Sequence, residues 1–156
     1  MKSPINGVKI KALKVQIDKR GWLAELFRSD ELSKINKPAM AYLSSTKPGV
    51  ARGPHEHKKQ SDLFCFLGFS SFRIYLWDNR KKSPTFKKKF NFESDKDKST
   101  LVIVPPGVVH AYKNIGKTEG LVFNAPNRLY QGRHRTQTVD EIRHEGNSDS
   151  PFKLND

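Results

Sequence analysis

Three histidines, placed in two separate segments, have the spacing to do chemistry together. His55 and His57 lie in RGPHEHKKQSD, and His110 lies in PPGVVHAYKN. Because side chains two residues apart on a strand point to the same face, a strand through His55 and His57 would present both imidazoles on one side. The Pro-Pro-Gly turn before His110 would bring a second strand alongside. A β-lined pocket holding three imidazoles suits proton transfer on a small molecule or the binding of a metal ion.

The size and charge of the chain limit its class. Its 156 residues suit one domain, which we expect to span residues 1–156. The formal net charge of +13 predicts attraction to phosphates, whether of nucleic acid, a membrane surface or a nucleotide-linked metabolite. No helix-turn-helix, zinc-finger or RNA-binding sequence pattern supports a specific nucleic-acid partner. Lysines interrupt the apolar residues of the N-terminal segment, so we expect no signal peptide, no membrane partner and a cytoplasmic location.

Cys65 is the single cysteine, which excludes an intrachain disulfide. It lies between Phe64 and Phe66 in an apolar run. This setting predicts a packed thiol rather than a nucleophile.

Alternating apolar residues predict many short strands. We expect strands over residues 22–27, 39–45, 62–67, 71–77 and 100–104, with shorter pieces near 8–10 and 13–17. Residues 112–114 and 120–124 would pair as a hairpin across Gly116. Ser29 could cap a short helix over residues 29–34. Many short antiparallel strands separated by turn residues indicate an all-β barrel or jelly roll.

Two segments resemble the motifs of the cupin superfamily. The first motif is matched by Gly49, His55, His57, Asp62 and Gly68. Asp62 stands where cupins usually carry Glu, and the spacer to Gly68 is one residue short. PPGVVHAYKN resembles the second motif. The resemblance implies an all-β cupin jelly roll, as a barrel or sandwich with short helical pieces.

Within the cupins, the chain resembles the dTDP-4-dehydrorhamnose 3,5-epimerase family. DKRG at 18–21, RGPH at 52–55 and WDNRKKSPTF at 77–86 are similar to motifs of that family, as is Tyr130 soon after the last strand. The resemblance implies a homodimer that acts on a nucleotide-linked 4-keto-6-deoxyhexose in surface-polysaccharide precursor synthesis. It implies that the epimerase reaction needs no cofactor.

The resemblance also implies catalytic roles. Removing a hydrogen from the carbon beside a ketone leaves an enolate, and a neutral imidazole can take that proton. The implied catalytic residues are His55 as the base, His110 and Tyr130. Alternative proton donors are Tyr112 and Tyr75, and Glu145 or Asp149 would orient His55.

Substrate binding requires cations for the diphosphate. Arg20 and Arg52 match the arginines that the family uses for this purpose. The remaining implied substrate contacts are Glu25, His57, Tyr112, Asn114 and Arg128, with Lys113 and Arg133 as additional cationic candidates.

Two positions depart from the family pattern. The family's catalytic tyrosine falls on Phe123, and its lysine falls on Asp62. A single epimerisation, a keto-shift isomerisation and a noncatalytic sugar-binding cupin therefore stay open as alternatives.

A metal enzyme is a further alternative, because His57 stands where typical members of the family carry Gln. His55, His57 and His110 with Asp62 or Gln60 would offer three nitrogens and one oxygen, a set suited to Fe, Mn, Ni or Zn. With a metal bound, His55 would be a ligand rather than a free base.

Overall fold

The computed structural model describes residues 1–95 and 97–154 and consists mainly of short strands. The strands are β1 (Lys9–Ala12), β2 (Val15–Asp18), β3 (Gly21–Ala24), β4 (Tyr42–Thr46), β5 (Ala51–Glu56), β6 (Asp62–Phe66), β7 (Phe72–Asp78), β8 (Lys89–Ser94), β9 (Thr100–Val104), β10 (Val108–Asn114), β11 (Gly120–Asn124) and β12 (Ile142–Arg143). Two short 3-10 helices cover Lys34–Asn36 and Arg133–Arg135.

Ten of these strands form two antiparallel sheets. The first sheet has the order β1-β9-β6-β11-β4, and the second has the order β12-β5-β10-β7-β8. Strands β2 and β3 form a separate hairpin. The chain moves repeatedly between the two sheets, which confirms the predicted all-β jelly roll. No described helix is long and apolar enough to cross a membrane.

Aromatic side chains from both sheets fill the space between them. Phe66 of β6 meets Phe72 of β7 and Tyr112 of β10, with ring centroids 5.4 and 5.3 Å apart. Each fully buried apolar side chain of this size contributes about 1.5–3 kcal/mol relative to an exposed one. This packing holds the two sheets at a fixed separation.

Strand β6 is buried on both faces because further segments cover the outside of the first sheet. Cys65 points outward into a cluster that Leu26, Phe27 and Leu32 help to cover. Burial raises the pKa of this thiol to about 12. The prediction of a packed, unreactive cysteine is confirmed.

Two local predictions are wrong. Residues 112–114 and 120–124 do not form a hairpin, because β10 pairs with β5 and β7 whereas β11 pairs with β4 and β6. Residues 29–32 form turns and a bend rather than a helix, and Leu32 packs against the outer face of the first sheet. The helical turn comes later, at Lys34–Asn36. Strand β12 was not predicted, since two residues give no periodic signal.

Candidate active site

A cavity of about 1220 Å³ is lined by strands of both sheets. Tyr42 and Ser44 of β4 contribute from the first sheet, and Arg52 and His55 of β5 contribute from the second. Parts of the segment 126–145 also line it. The volume exceeds the roughly 300–1000 Å³ of common small-molecule pockets, so it has room for a substrate larger than a hexose.

His55 lines this cavity, and His110 lies directly against His55 but is buried and is not among the lining residues. The two sequence motifs predict that these two histidines come together. They are direct partners in the β5–β10 pairing, and their ring centroids lie 4.4 Å apart. His110 is held by a 3.0 Å contact between its Nδ1 and the carbonyl oxygen of Val108. The imidazole of His55 has no hydrogen-bond partner among the described residues, and it lines the cavity.

The glycine of the RGPH segment, Gly53, lies where only a glycine fits. Its φ is +84°, a left-handed conformation that side-chain-bearing residues rarely adopt. A Cβ at this position would lie 2.6 Å from the carbonyl oxygen of His110 and 3.1 Å from Nδ1 of His55. The glycine therefore lets the two histidine strands approach.

His57 lies immediately after β5 and contacts a buried carboxylate. Its Nε2 is 3.0 Å from Oδ2 of Asp62, and Nε2 of His110 is 3.5 Å from the same oxygen. Gln60 donates from Nε2 to Oδ1 of Asp62 at 3.1 Å. Asp62 is therefore the shared anion beside two of the three imidazoles.

Asp140 fixes the loop that follows His57, a role that sequence reasoning missed. Its carboxylate accepts the backbone N–H groups of Lys58, Lys59 and Gln60 at 2.9, 2.8 and 2.9 Å. Its carbonyl oxygen contacts Nδ1 of His57. Desolvation opposes ionisation of Asp140, but these backbone hydrogen bonds outweigh it and lower its pKa. A distant acidic residue in an irregular segment gives no local signal of such a role.

The charges within the cluster follow from burial and neighbours. Burial, followed by the adjacent His110 and His57, lowers the pKa of His55 to about 2. Burial also lowers the pKa of His110. For Asp62, desolvation is outweighed by the contact with His57 and the charge of His110, and its pKa falls to about 2. At His57, desolvation is outweighed by the contact with Asp62 and its charge, so the pKa of His57 is raised. At neutral pH, His55 is therefore a neutral imidazole, and the Asp62 carboxylate beside His57 and His110 is ionised.

Phe123, which the resemblance matches to the family's tyrosine, does not face the cavity. Phe123 packs with Leu63 and Cys65 on the outer side of the first sheet. Its neighbour Asn124 is 2% exposed and donates from Nδ2 to Oη of Tyr42 at 2.7 Å and to Oδ1 of Asp62 at 3.1 Å. Successive strand residues face opposite sides, so Asn124 holds the inward position.

Basic side chains surround the mouth of the cavity. Arg52 is held by hydrogen bonds from Nε to Oγ1 of Thr46 at 3.1 Å and from Nη2 to the carbonyl oxygen of Ser45 at 2.9 Å. Arg128 donates to the carbonyl oxygen of Lys59 at 3.2 Å. The cationic residues that line the cavity are Arg52, Lys58, Lys59, Arg128, Arg133, Arg135 and Arg143.

Two predicted tyrosines also border the cavity. Tyr130 lies on its rim and is 52% exposed. Tyr112 is 5% exposed, and its Oη lies 3.4 Å from Oγ of Ser44. The prediction that Tyr75 is a proton donor is wrong, because Tyr75 packs against Trp77 in a cluster on the outer side of the second sheet.

Asn114 does not reach the cavity, contrary to its predicted substrate contact. Its side chain is fully buried and donates to the carbonyl oxygens of Thr46 and Thr118 at 2.7 and 2.8 Å. Ser70 donates to its Oδ1 at 2.8 Å. This amide ties the end of β10 to neighbouring segments, so its role is structural.

Arg20 and Glu25 lie outside the cavity of this chain. Arg20, at the β2–β3 turn, pairs with Asp18 at 2.6 Å, and Glu25 lies 3.6 Å from Arg28. Their predicted substrate contacts would require a second copy of the chain. Glu145 does line the cavity, but within the described residues no hydrogen bond joins it or Asp149 to His55.

The three imidazoles also have the spacing of a metal-ligand set. One nitrogen from each of His55, His57 and His110 lies within 4.8 Å of the others. The side-chain atoms Asp62 Oδ2 and His110 Nε2 are buried and lack a hydrogen bond within the described structure. These residues could converge on a cation, and the metal site stays a prediction.

The chain is similar to known proteins along most of its length. The family model described as dTDP-4-dehydrorhamnose 3,5-epimerase matches residues 2–141. A probable low-salt glycan biosynthesis epimerase, Agl13 of Haloferax volcanii, is 37% identical over 128 residues, covering 81% of each chain. The spore coat polysaccharide biosynthesis protein SpsL of Bacillus subtilis is 36% identical over 114 residues, covering 73% of this chain and 74% of SpsL.

Solved structures share the fold at lower identity. A dTDP sugar isomerase from Desulfovibrio desulfuricans G20 superposes with a TM-score of 0.82 at 22% identity, covering 96% of this chain and 92% of that one. A dTDP-4-dehydrorhamnose 3,5-epimerase from Sulfolobus tokodaii gives a TM-score of 0.75 at 24% identity, covering 97% and 85%. The motifs around the histidine pair and the match over residues 2–141 agree: the chain belongs to the dTDP-4-dehydrorhamnose 3,5-epimerase family.

Proposed function

We propose that this protein isomerises a nucleotide-linked 4-keto-6-deoxyhexose by removing a proton from a carbon beside the ketone. The product would serve surface-polysaccharide or glycan precursor synthesis, the processes named for the two relatives Agl13 and SpsL. The observation that carries the proposal is His55, a neutral imidazole that lines a large cavity and keeps its ring nitrogens free of hydrogen bonds to described residues.

The proposed proton removal follows from the neutral state of His55. A neutral imidazole has a lone pair that can accept the proton, and the electron pair of the C–H bond moves to the ketone oxygen as an enolate. The pKa of about 2 for His55 belongs to the cavity without substrate. An anionic diphosphate bound nearby would stabilise the imidazolium and raise this pKa. The negative charge of Asp62, which lies behind His110, would also favour the imidazolium of His55.

The cationic side chains that line the cavity could bind the diphosphate of the substrate. Arg52 presents a guanidinium already oriented by Thr46 and Ser45. Charge-assisted contacts of arginine with phosphate are stronger than neutral hydrogen bonds. Arg128 and Arg133 extend the same positive rim.

The hairpin of β2 and β3 supports a homodimer. Ile17 is 82% exposed and Trp22 is 49% exposed, and they are direct partners across the hairpin. Trp22 also contacts Phe69, which is 44% exposed. We call Ile17, Trp22 and Phe69 the hairpin patch. Arg20 lies at the turn of the same hairpin, so a second copy that covers this apolar patch would bring Arg20 close to the interface between the two copies.

The test uses deuterated water. The parent protein, incubated with dTDP-4-keto-6-deoxyglucose, should place deuterium at a ring carbon beside the ketone. The variant His55→Asn should show no such exchange, while His134→Asn, which changes an exposed histidine outside the cavity, should behave like the parent. No exchange in the parent with a series of dTDP-4-keto sugars would sink the proposal and favour a sugar-binding cupin.

A further inference from the structure

We propose that Tyr42 is the acid that delivers a proton to the enolate from the face opposite His55. This assignment rests on the proposed function. Neither the motifs of the sequence nor the family resemblance singles out this residue, because it lies in β4, outside both cupin motifs. The structure places it on the cavity wall.

The directions of the hydrogen bonds around Tyr42 leave its hydroxyl hydrogen free to be donated. Nδ2 of Asn124 contacts both Oδ1 of Asp62, at 3.1 Å, and Oη of Tyr42, at 2.7 Å. An ionised carboxylate only accepts hydrogen bonds, so the amide nitrogen, rather than the amide oxygen, must face Asp62. Oη of Tyr42 therefore accepts a hydrogen bond from Asn124. Its own hydrogen is left without an acceptor among the described residues, on a side chain that lines the cavity.

The two sheets place Tyr42 and His55 on opposing walls. Tyr42 lies on β4, the edge strand of the first sheet, and His55 lies on β5 of the second. The cavity of about 1220 Å³ that both side chains line has room for a sugar ring between them. A base on one wall and a donor on the other is the arrangement that inversion at carbon requires.

The protonation state of Tyr42 fits this role. Desolvation raises its pKa to about 12, although the hydrogen bond from Asn124 acts in the opposite direction. The phenol therefore carries its proton throughout the neutral range. The Tyr42 residue is 47% exposed and lines the cavity.

The other tyrosines on the cavity are less suited. The ring of Tyr112 is packed among Phe64, Phe66 and Phe72 in the aromatic core. Tyr130 lies on the rim, where its backbone N–H contacts the sulfur of Met40. Only Tyr42, of these three, has its hydroxyl oxygen oriented by a side chain that is itself anchored on Asp62.

The step balances without a cofactor. The imidazole of His55 takes the proton of the C–H bond, and the electron pair becomes the enolate. The enolate carbon then takes the Tyr42 Oη hydrogen on its other face, and the ketone re-forms. Solvent returns a proton to the phenolate and removes one from the imidazolium, so the net reaction is an isomerisation.

The variant Tyr42→Phe tests the assignment, because it removes only the hydroxyl. We expect kcat for epimer formation to fall about 100- to 10,000-fold, the usual contribution of a general acid. The affinity for dTDP, measured by calorimetry, should stay at the parent value. Deuterium exchange should continue, since His55 can still remove a proton and return a deuteron to the same face. Tyr75→Phe, outside the cavity, is the matched control and should match the parent.

The outcomes separate this inference from the proposed function. Exchange without inversion in Tyr42→Phe supports the inference. Epimer formation by Tyr42→Phe at the parent rate would overturn it while leaving the function intact. Loss of dTDP affinity in Tyr42→Phe would also overturn the inference, because Tyr42 would then act in binding. Loss of both deuterium exchange and epimer formation would overturn it as well, because Tyr42 would then act in proton removal. Absence of exchange in the parent would overturn the function itself.

Discussion

Nε2 of His57 lies 3.0 Å from Oδ2 of Asp62, whose side chain is only 1% exposed. The contact holds the loop after β5 against the start of β6. Removing one partner of a buried ion pair leaves an uncompensated charge. The pair therefore couples the stability of the fold to the geometry of the site.

Replacing Asp62 with Asn should lower the free energy of unfolding by about 3–5 kcal/mol, the usual cost of breaking a buried pair. Urea denaturation measures this change. The double variant Asp62→Asn with His57→Gln should recover part of the loss, because no buried imidazolium is then left alone. A change below about 0.5 kcal/mol in the single variant, the range of ordinary surface substitutions, would show that the pair is not ionised in the fold.

Acid should destabilise the protein through His55. The folded pKa is lowered from 6.5 to about 2, so below pH 6.5 the unfolded chain binds a proton that the folded chain does not. The free energy of unfolding therefore falls as the pH drops below 6.5, by at most about 1.4 kcal/mol per pH unit for one group. His110, whose pKa is also lowered, acts in the same direction.

Urea denaturation between pH 5 and 7 measures this slope. His55→Asn should make the slope shallower, whereas His134→Asn, at an exposed position, should keep the parent slope. An unchanged slope in His55→Asn would mean that His55 is protonated in the folded protein.

Arg52 should contribute to nucleotide affinity. A charge-assisted hydrogen bond contributes about 1.5–3 kcal/mol, so Arg52→Gln should weaken dTDP binding about 10- to 150-fold. Calorimetry with dTDP measures the dissociation constant. Arg73→Gln is the matched control, since Arg73 pairs with Glu93 at 2.8 Å and does not line the cavity. Equal affinities of the two variants would place the diphosphate elsewhere.

The hairpin patch should hold two copies together. Ile17→Glu places a charge among the exposed apolar side chains and should shift the protein to a monomer. Gln16→Glu, on the other face of the same strand, adds the same charge and should leave the dimer intact. Light scattering after gel filtration measures the mass. A monomeric parent, or a dimeric Ile17→Glu variant, would contradict the proposed interface.

Epimerisation by His55 needs no metal, so dialysis against a chelator should leave the deuterium exchange unchanged. Elemental analysis before and after dialysis checks that metal was removed. Exchange that is lost and then restored by one divalent cation would instead make His55, His57 and His110 ligands of a functional metal, since their nitrogens lie within 4.8 Å of one another.

Much of the site could be predicted because its signals are local. The alternation of apolar residues indicated an all-β protein, and glycine and proline marked turns whose backbone conformations few residues share. His55 and His110 could be matched because each lies in a compact motif. Their observed pairing across β5 and β10 follows from those motifs.

The tertiary structure decided what depends on contacts between distant segments. A shift of one residue along a strand moves each side chain to the other face of the sheet. Only the packing of Phe123 outward and Asn124 inward determined which side chain contacts Asp62. Asp140 reaches the loop after His57 across a gap of more than eighty residues in sequence. No local pattern encodes such a meeting, because it depends on how the complete chain buries its apolar surface.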